Sequence, residues 1–529
     1  MEFKFGGSVA NQQTVLGHPS GLFVLFFTEM WERFSYYGMR ALLVLFLVSS
    51  ILDEGWGWDR ADALILYAWY TSLVYITPII GGFIADKVMG YRKAVFWGAL
   101  LMTLGHLSMA FEVFADPFFF IGLALLILGN GLFKPNISSM VGQLYKVEGK
   151  QKDAGYTIFY MGINAGAFLG ILLCGYIGEQ VGWHWGFGLA GVFMFFGMLQ
   201  FYYAQEIFGK IGVKPPKKGA LEEDPKGSNI IQEQDNPDVI EEEVPANVTK
   251  DRLKVIGIFA FFTVFFWWAF EQAGGSMTIF ARDYTDRVLV DNGAFIFKIV
   301  NTLLTIIPLL IITWVLALLF KQTFSKFALS NIFLGTSFAI IWGIVIWVLY
   351  RQFNSEALEV PASWFGILNS FFIIAFAPLF SKLWESKYNP SGPVKFAMGL
   401  ILLGLGFGIL AYGSLSIPQG AQIASVSMIF LIAAYLFHTL GELCLSPVGL
   451  SYVSKLSPKR LVGMMFGVWF ASSALANLLG GITGSYIDYI VANYSMATFF
   501  MIFTLIPIGA GIIMLLLNGK LLKMMHGIR

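Results

Sequence analysis

The sequence predicts an all-α integral membrane protein of about fourteen spanning helices, on three observations. Apolar residues make up 57% of the chain and charged residues 13%, against about 25% charged in a soluble domain. Apolar runs of about 20 residues, the length that crosses a bilayer, recur from one end to the other. One long polar interval, residues 206–252, divides those runs into two sets.

Six runs precede the interval, at roughly 22–50, 62–85, 94–114, 118–144, 155–178 and 185–205. Eight follow, at about 253–281, 295–320, 331–350, 362–384, 394–413, 424–452, 461–487 and 496–518. The interval itself, rich in Pro, Lys and Glu, reads as a solvated linker. The expected organisation is an N-terminal six-helix bundle (1–205), a linker (206–252) and a C-terminal bundle (253–529). Two helical sets on a long linker suggest the two-half transporter plan, with substrate held between the halves near the midplane. The N-terminus has no short apolar stretch before a small-residue cleavage site, so the first spanning helix is expected to act as its own insertion signal.

Orientation follows from Lys and Arg placement. Lys87, Arg92, Lys93, Lys146, Lys150, Lys152, Lys382, Lys387, Lys455, Lys459, Arg460, Lys520 and Lys523 fall in loops on one side, with the linker. Opposite loops such as LDEGWGWDRAD and FEVFADP are acidic or neutral. Both termini and the linker are therefore expected in the cytoplasm, with the chain in the cytoplasmic (inner) membrane and most simply a monomer. Lys and Arg number 34 and Asp and Glu 33, so no basic surface invites nucleic acid. Cys174 and Cys444 sit in apolar runs, and neither a disulfide framework nor a metal site is expected.

Helix one carries Thr28–Arg40, TEMWERFSYYGMR. Glu29, Glu32, Arg33, Tyr36, Tyr37 and Arg40 recur at helical spacing and share one face. Met30, Trp31, Phe34, Met39 and Leu42 occupy the other, which suits lipid or a neighbouring helix. An ionisable side chain at the bilayer centre costs ~2.5–3.5 kcal/mol even on lenient scales. Four on one stripe point to a water-lined functional site, against a structural ion-pair seam. After helix two, GGFIADKVMGYRK sets Gly81 and Gly82 for close helix approach, Asp86 at the membrane edge and Gly90 in a tight turn.

Helix four places Lys134 and Pro135 inside an apolar run, GLFKPN. A lysine there needs a partner, and the carboxylates of helix one are candidates. Snorkelling to the interface is the alternative, opposed by about three turns of helix between Lys134 and Lys146. Asn164, among small residues on helix five, reads equally as a binding group or as a packing bond. Glu271, beside Gln272 and a Gly pair on the seventh run, has a plausible partner in Arg40. Glu442 precedes Ser446 and Pro447, which loosen that helix as a bending gate requires. Trp469 is a candidate pocket wall, although aromatics in such helices more often pack. Arg33 and Lys134 in one half and Glu442 in the other describe a dipolar cavity suited to a small zwitterion. No nucleophile–base set, Walker loop or metal cluster appears, so an enzyme or nucleotide-driven pump is not indicated. No cofactor is expected, and the remaining drive is an ion gradient, for which buried carboxylates suit protons.

Five segments together resemble the proton-coupled oligopeptide transporter (POT) family of the major facilitator superfamily. They are EMWERFSYYGMR, GGFIADKVMG, GLFKPN, FYMGINAG and GELCLSPVGLS, with SPKRLVGMMFGVWFASSALAN weaker. The resemblance implies symport of di- and tripeptides with protons, on a major facilitator fold of two six-helix bundles. It implies that Arg33, Tyr37 and Lys134 hold the peptide carboxylate, and that Glu442, Asn164 and an asparagine hold its amino end. Asn301 and Asn369 both qualify for that asparagine; Asn369, followed by PSGPVKFAMGL as in the family's eighth helix, is chosen. It implies proton coupling by Glu29, Glu32 and Lys134 with Arg40–Glu271 as a gating pair. Tyr36, Tyr75 and Trp469 would line the pocket, and Gly82, Asp86, Gly90 and Pro447 would serve gating.

The helices between about 294 and 351 match nothing in a twelve-helix core and are expected to form an inserted hairpin, packed peripherally. Bacterial members of the family often carry an extra helix pair, typically in the linker between the halves, where this chain is polar. Mammalian relatives carry a histidine in helix two where Ala68 stands, so coupling would rest on carboxylates. A related transporter of nitrate or another small anion is the nearest rival. A channel or a membrane-bound enzyme is a more distant one.

Overall fold

A computed structural model describes residues 3–147, 149–214, 245–458 and 461–528. The first six helices are α1 (Ser20–Val48), α2 (Arg60–Ile84), α3 (Tyr91–Ala110), α4 (Pro117–Gln143), α5 (Lys150–Gln180) and α6 (Trp183–Ala204). The seventh run yields α7 (Ala246–Phe270) and a short α8 (Ser276–Asp283), followed by α9 (Asp291–Thr323) and α10 (Ala328–Phe353). The remainder are α11 (Ile367–Glu385), α12 (Gly392–Gly413), α13 (Met428–Leu456), α14 (Val462–Ser485), the short α15 (Ile487–Asn493) and α16 (Met496–Met524). Among the described residues, twelve helical stretches are long and apolar enough to cross a membrane. Four charges keep α1 out of that set.

In the first half α1 packs along α5 and α6, while α4 packs on α2 and α3. In the second, α12 packs on α13 and α16, and α7 on α14 and α16. Contacts of α2 with α14 and of α5 with α11 join the halves. This is the major facilitator arrangement of two six-helix bundles with two further helices, α9 and α10.

Small residues set the spacing within the first bundle. Pro135 cannot donate to the Gly131 carbonyl, and Gly81 of α2 packs directly onto that carbonyl, where a Cβ could not fit. The close approach falls at Gly81; at Gly82 a Cβ would meet nothing nearer than Pro135 at 4.0 Å. Beyond α2, a wide helical turn over Ala85–Met89 ends at Gly90, whose φ of +81° favours glycine. The exposed Asp86 lies on that turn.

Three features depart from the run-by-run expectation. The seventh run is broken after Phe270 by a 3-10 turn, Glu271–Gly274. Gly274 ends that turn and Gly275 follows it, and the two weaken helix continuation. The broken helix sets Glu271 at the discontinuity. Next, α7 begins at Ala246, inside the expected linker, and residues 205–214 fold back onto the first bundle. There the Arg92 guanidinium donates to the Gly209 and Ile211 carbonyls at 2.5 and 2.7 Å; residues 215–244 of the linker lie outside the described residues.

The third concerns the hairpin of α9 and α10. Although it leaves the chain within the second half, it docks on the first. Phe338 meets Trp31 and Phe27 edge-on at centroid distances of 5.5 and 5.6 Å. Phe333 stacks on Tyr203 at 5.5 Å, and the Ser330 hydroxyl donates to the Gln200 carbonyl at 2.8 Å. The apolar face of α1 is thereby covered by protein: Trp31 stacks on Phe193 of α6 at 4.6 Å and is fully buried.

Candidate functional site

The helical spacing of Glu29, Glu32 and Arg33 makes an ion-pair triad on α1. Arg33 Nε lies 2.7 Å from Glu29 Oε1 and 2.7 Å from Glu32 Oε2. All three side chains are buried, and Arg33 Nη2 and Glu29 Oε2 have no protein hydrogen-bond partner. The Arg33 guanidinium also stands 5.8 Å from the Tyr36 ring centroid, and Tyr36 meets Tyr37 at 5.1 Å.

Lys134 faces the same region from α4. Its ammonium lies 4.8 Å over the Tyr75 ring, and no ion pair to Glu29 or Glu32 forms within 4 Å. A cation over an aromatic face recovers about 0.5–2 kcal/mol, part of the cost of seating a lysine there while the carboxylates are taken by Arg33.

Farther along α1, Arg40 forms an ion pair with Glu271 across the halves, and Arg40 Nε donates to the Tyr67 hydroxyl at 2.8 Å. The break after Phe270 turns Glu271 toward α1. In the second half, Asn369 Nδ2 donates to Glu442 Oε2 at 2.9 Å and to Thr439 Oγ1 at 3.2 Å.

Between the bundles lies a cavity of about 210 Å³. Tyr37, Arg40, Asn164, Glu271, Asn369 and Glu442 all line it. The Asn164 amide donates back to the Tyr160 carbonyl of its own helix at 3.0 Å. Asn301, the competing asparagine, instead bonds Gln352 within the hairpin at 2.9 Å. Glu29, Glu32, Arg33, Tyr36, Tyr75 and Lys134 form the adjoining cluster rather than the lining. Trp469 is buried on α14, its ring occupying the space beside Gly449 of α13, also outside the lining. Pro447 lies on α13, but its side chain is outside the described residues.

One end of the cavity is closed by polar bonds between the halves. Arg60 Nη2 reaches Asp283 Oδ2 and Arg60 Nη1 reaches Asp488 Oδ1, each at 2.7 Å. The same guanidinium donates to the Gln422 side chain and carbonyl, both at 3.0 Å. Glu179 of α5 accepts the backbone N–H groups of Ala362 and Ser363 at 2.8 and 2.9 Å. These bonds lie at the end opposite the termini. Toward the termini, the cavity rim carries Tyr160, which is 48% exposed.

The model of the POT family matches residues 92–224 and 342–499. The chain belongs to the POT family. Its relatives include an uncharacterized transporter, YclF, of Bacillus subtilis, 33% identical with 98% of this chain and 97% of that protein covered. A di-/tripeptide transporter of Lactococcus lactis is 31% identical, with 98% and 99% covered. Among solved structures, a peptide transporter POT in complex with sulfate superposes with a TM-score of 0.73 at 29% identity, covering 97% of each chain.

Several residues of this POT-family site carry no sequence signal strong enough to single them out. Tyr67, which binds Arg40, is one of 21 tyrosines. Asn130, which binds Glu32 at 3.0 Å, stands one turn before Lys134 and could have been found from that spacing. Arg60, in an exterior-type loop among acidic residues, reads from sequence only as a helix-end charge.

Proposed function

We propose that the chain is a proton-coupled symporter of di- and tripeptides that works by alternating access in the cytoplasmic membrane. The observation that carries this reading is the cavity between the halves, walled by Arg40–Glu271 on one side and Asn369–Glu442 on the other. Behind Tyr37 stand two further cations, Arg33 and Lys134. A zwitterion of two or three residues meets complementary charge at both tips, with charge-assisted bonds. Glu442 with Asn369 and Asn164 takes the ammonium end. Tyr37 and the Arg33–Lys134 group take the carboxylate.

Protons enter through the same ion pairs. With Glu29 and Glu32 ionised, Arg33 is held on α1. Protonating either one loosens Arg33 toward the peptide carboxylate, so proton and peptide favour the same rearrangement. Both termini face the cytoplasm in this reading, because the Lys- and Arg-bearing loops lie on their side. The Arg60 latch is then the outer closure, and the cavity is reached from the cytoplasm. The protein acts as a monomer.

The test is uptake of dialanine and trialanine into proteoliposomes with and without an imposed proton gradient. Accumulation above the external concentration only with the gradient is expected. Equal, non-concentrative entry under both conditions overturns the reading.

A further inference from the structure

Asn130 is 1% exposed and Glu32 is 0% exposed, and Asn130 Nδ2 donates to Glu32 Oε1 at 3.0 Å. The other end of the same amide, Oδ1, has no hydrogen-bond partner. Leaving a buried polar atom unpaired costs about 1–3 kcal/mol. Two other buried asparagines spend the donor on their own helix, Asn136 on the Leu132 carbonyl at 2.7 Å and Asn477 on the Ser473 carbonyl at 2.9 Å, and Asn477 Oδ1 is likewise unpartnered. Asn130 instead commits its donor to a carboxylate on another helix and holds an acceptor in reserve.

We propose that Asn130 is the positioning residue of Glu32, holding it in both its ionised and its protonated form by turning its amide over. While Glu32 is ionised, Nδ2–H donates to the carboxylate. Once a proton from water binds Glu32, a half-turn about the Asn130 Cβ–Cγ bond brings Oδ1 to accept the new O–H. A carboxamide presents a donor and an acceptor at equivalent positions without taking up or losing a proton. The proton remains on Glu32 throughout; Asn130 neither takes nor releases one.

The groups that face Glu32 leave this role open. From α1 come Arg33, at 2.7 Å from Oε2, and Glu29; from α2 comes Tyr70; from α4 comes Lys134, itself seated over the Tyr75 ring. Glu271, in the turn after α7, acts on the set through Lys134. Arg33 and Lys134 can only donate. Asn130 is the neighbour in hydrogen-bond contact that can reverse its polarity.

This inference rests on Glu32 taking up the coupled proton, and its test is kept separate from transport. The variants are Asn130→Leu, nearly the same size with no polar group, and Asn130→Asp. The primary readout is a pH titration of the infrared band of the protonated carboxyl that Glu32→Gln removes, in purified protein. A bond donated to an ionised group is about twice as strong as one between neutral groups. Its loss in Asn130→Leu therefore outweighs loss of the acceptor, and the band is expected to titrate about half a pH unit or more higher. Asn130→Asp sets a second carboxylate beside the first, and the expected rise is larger. The pH dependence of gradient-driven dialanine uptake moves in the same direction. Titration of the band unchanged from wild type in both variants overturns the proposal. Failure of the wild-type protein to accumulate dialanine, with the band still shifted in Asn130→Leu, overturns the transport reading and leaves the Asn130 assignment standing.

Discussion

Arg60, the first residue of α2, meets Asp283, the last residue of α8, at 2.7 Å across the boundary between the two halves. Asp283 is nearly buried, and Asp488, Gln422 and the Tyr284 hydroxyl complete the set around the guanidinium. A hydrogen bond to a charged group is worth about 1.5–3 kcal/mol, so the set weights the balance toward closure at this end. Arg60→Ala is expected to shift that balance about tenfold toward opening. A cysteine at Ala41, which lines the cavity, reports it with Cys174 and Cys444 replaced. Labelling by an impermeant thiol reagent from the latch side should rise several-fold, and labelling equal to the parent counts against the latch.

The Arg40–Glu271 pair is buried, so its two single variants should be worse than the double. Glu271→Gln leaves Arg40 with only Tyr67, at a cost of about 3–5 kcal/mol. Replacing both, as Arg40→Met with Glu271→Leu, removes the charges together and should restore most of the thermal midpoint in detergent. Uptake should remain lost in the double variant. A double variant no more stable than Glu271→Gln alone would show that the pair is not the source of the cost.

Peptide orientation in the cavity predicts a selective loss at Glu442. Glu442→Gln should weaken dialanine binding about tenfold or more, the worth of one charge-assisted bond. N-acetyl-dialanine has no ammonium and should bind parent and variant alike. An equal loss for both ligands would remove Glu442 from the amino-end role.

The hairpin should move with the first bundle. Tyr203 and Phe333 stack at 5.5 Å with an interplanar angle of 20°, so cysteines at the two positions can be joined by a short cross-linker. Cross-linked protein is expected to retain dialanine uptake within about twofold, because hairpin and α6 keep their packing as the halves rock. Abolished uptake on cross-linking, restored by cleaving the linker, would place a moving boundary between hairpin and α6.

Outside the spans, Glu112 follows α3 in a turn beside Trp56. Burial pushes its pKa up to about 7, with smaller additions from Asp116 and Glu54, against the opposing Trp56 bond. The folded state thus binds this proton more tightly than the unfolded chain. The stabilisation is complete below about pH 4.5 and lost as pH rises through about 7. Glu112→Gln should match the parent's thermal midpoint at pH 5 and exceed it at pH 8. A midpoint difference independent of pH would exclude Glu112 titration as its source.

Legibility in the sequence divides along physical lines. The shared face of Glu29, Glu32, Arg33 and Arg40 was readable because a helix of 3.6 residues per turn fixes those neighbours locally. The loop turn at Gly90 was readable for the same reason, since a positive φ is a local demand. Partners on other helices were harder. Lys134 reads as a match for the α1 carboxylates, yet Arg33 on the same helix already engages both, and the lysine rests on Tyr75. Glu271 reads as a residue within a continuous helix, whereas the Gly274–Gly275 break turns it to meet Arg40.

By itself the sequence determined the class of the protein, the number and length of its spanning helices, and the charged stripe on α1, all set by composition and short-range periodicity. Only the tertiary structure decided that the hairpin docks on the first bundle rather than the second, that Arg60 draws three separate segments together, and that Asn130 serves Glu32. Each of those joins residues more than about ninety positions apart, and helix-to-helix partners at such separations depend on how side chains interlock across bundles rather than on any local spacing.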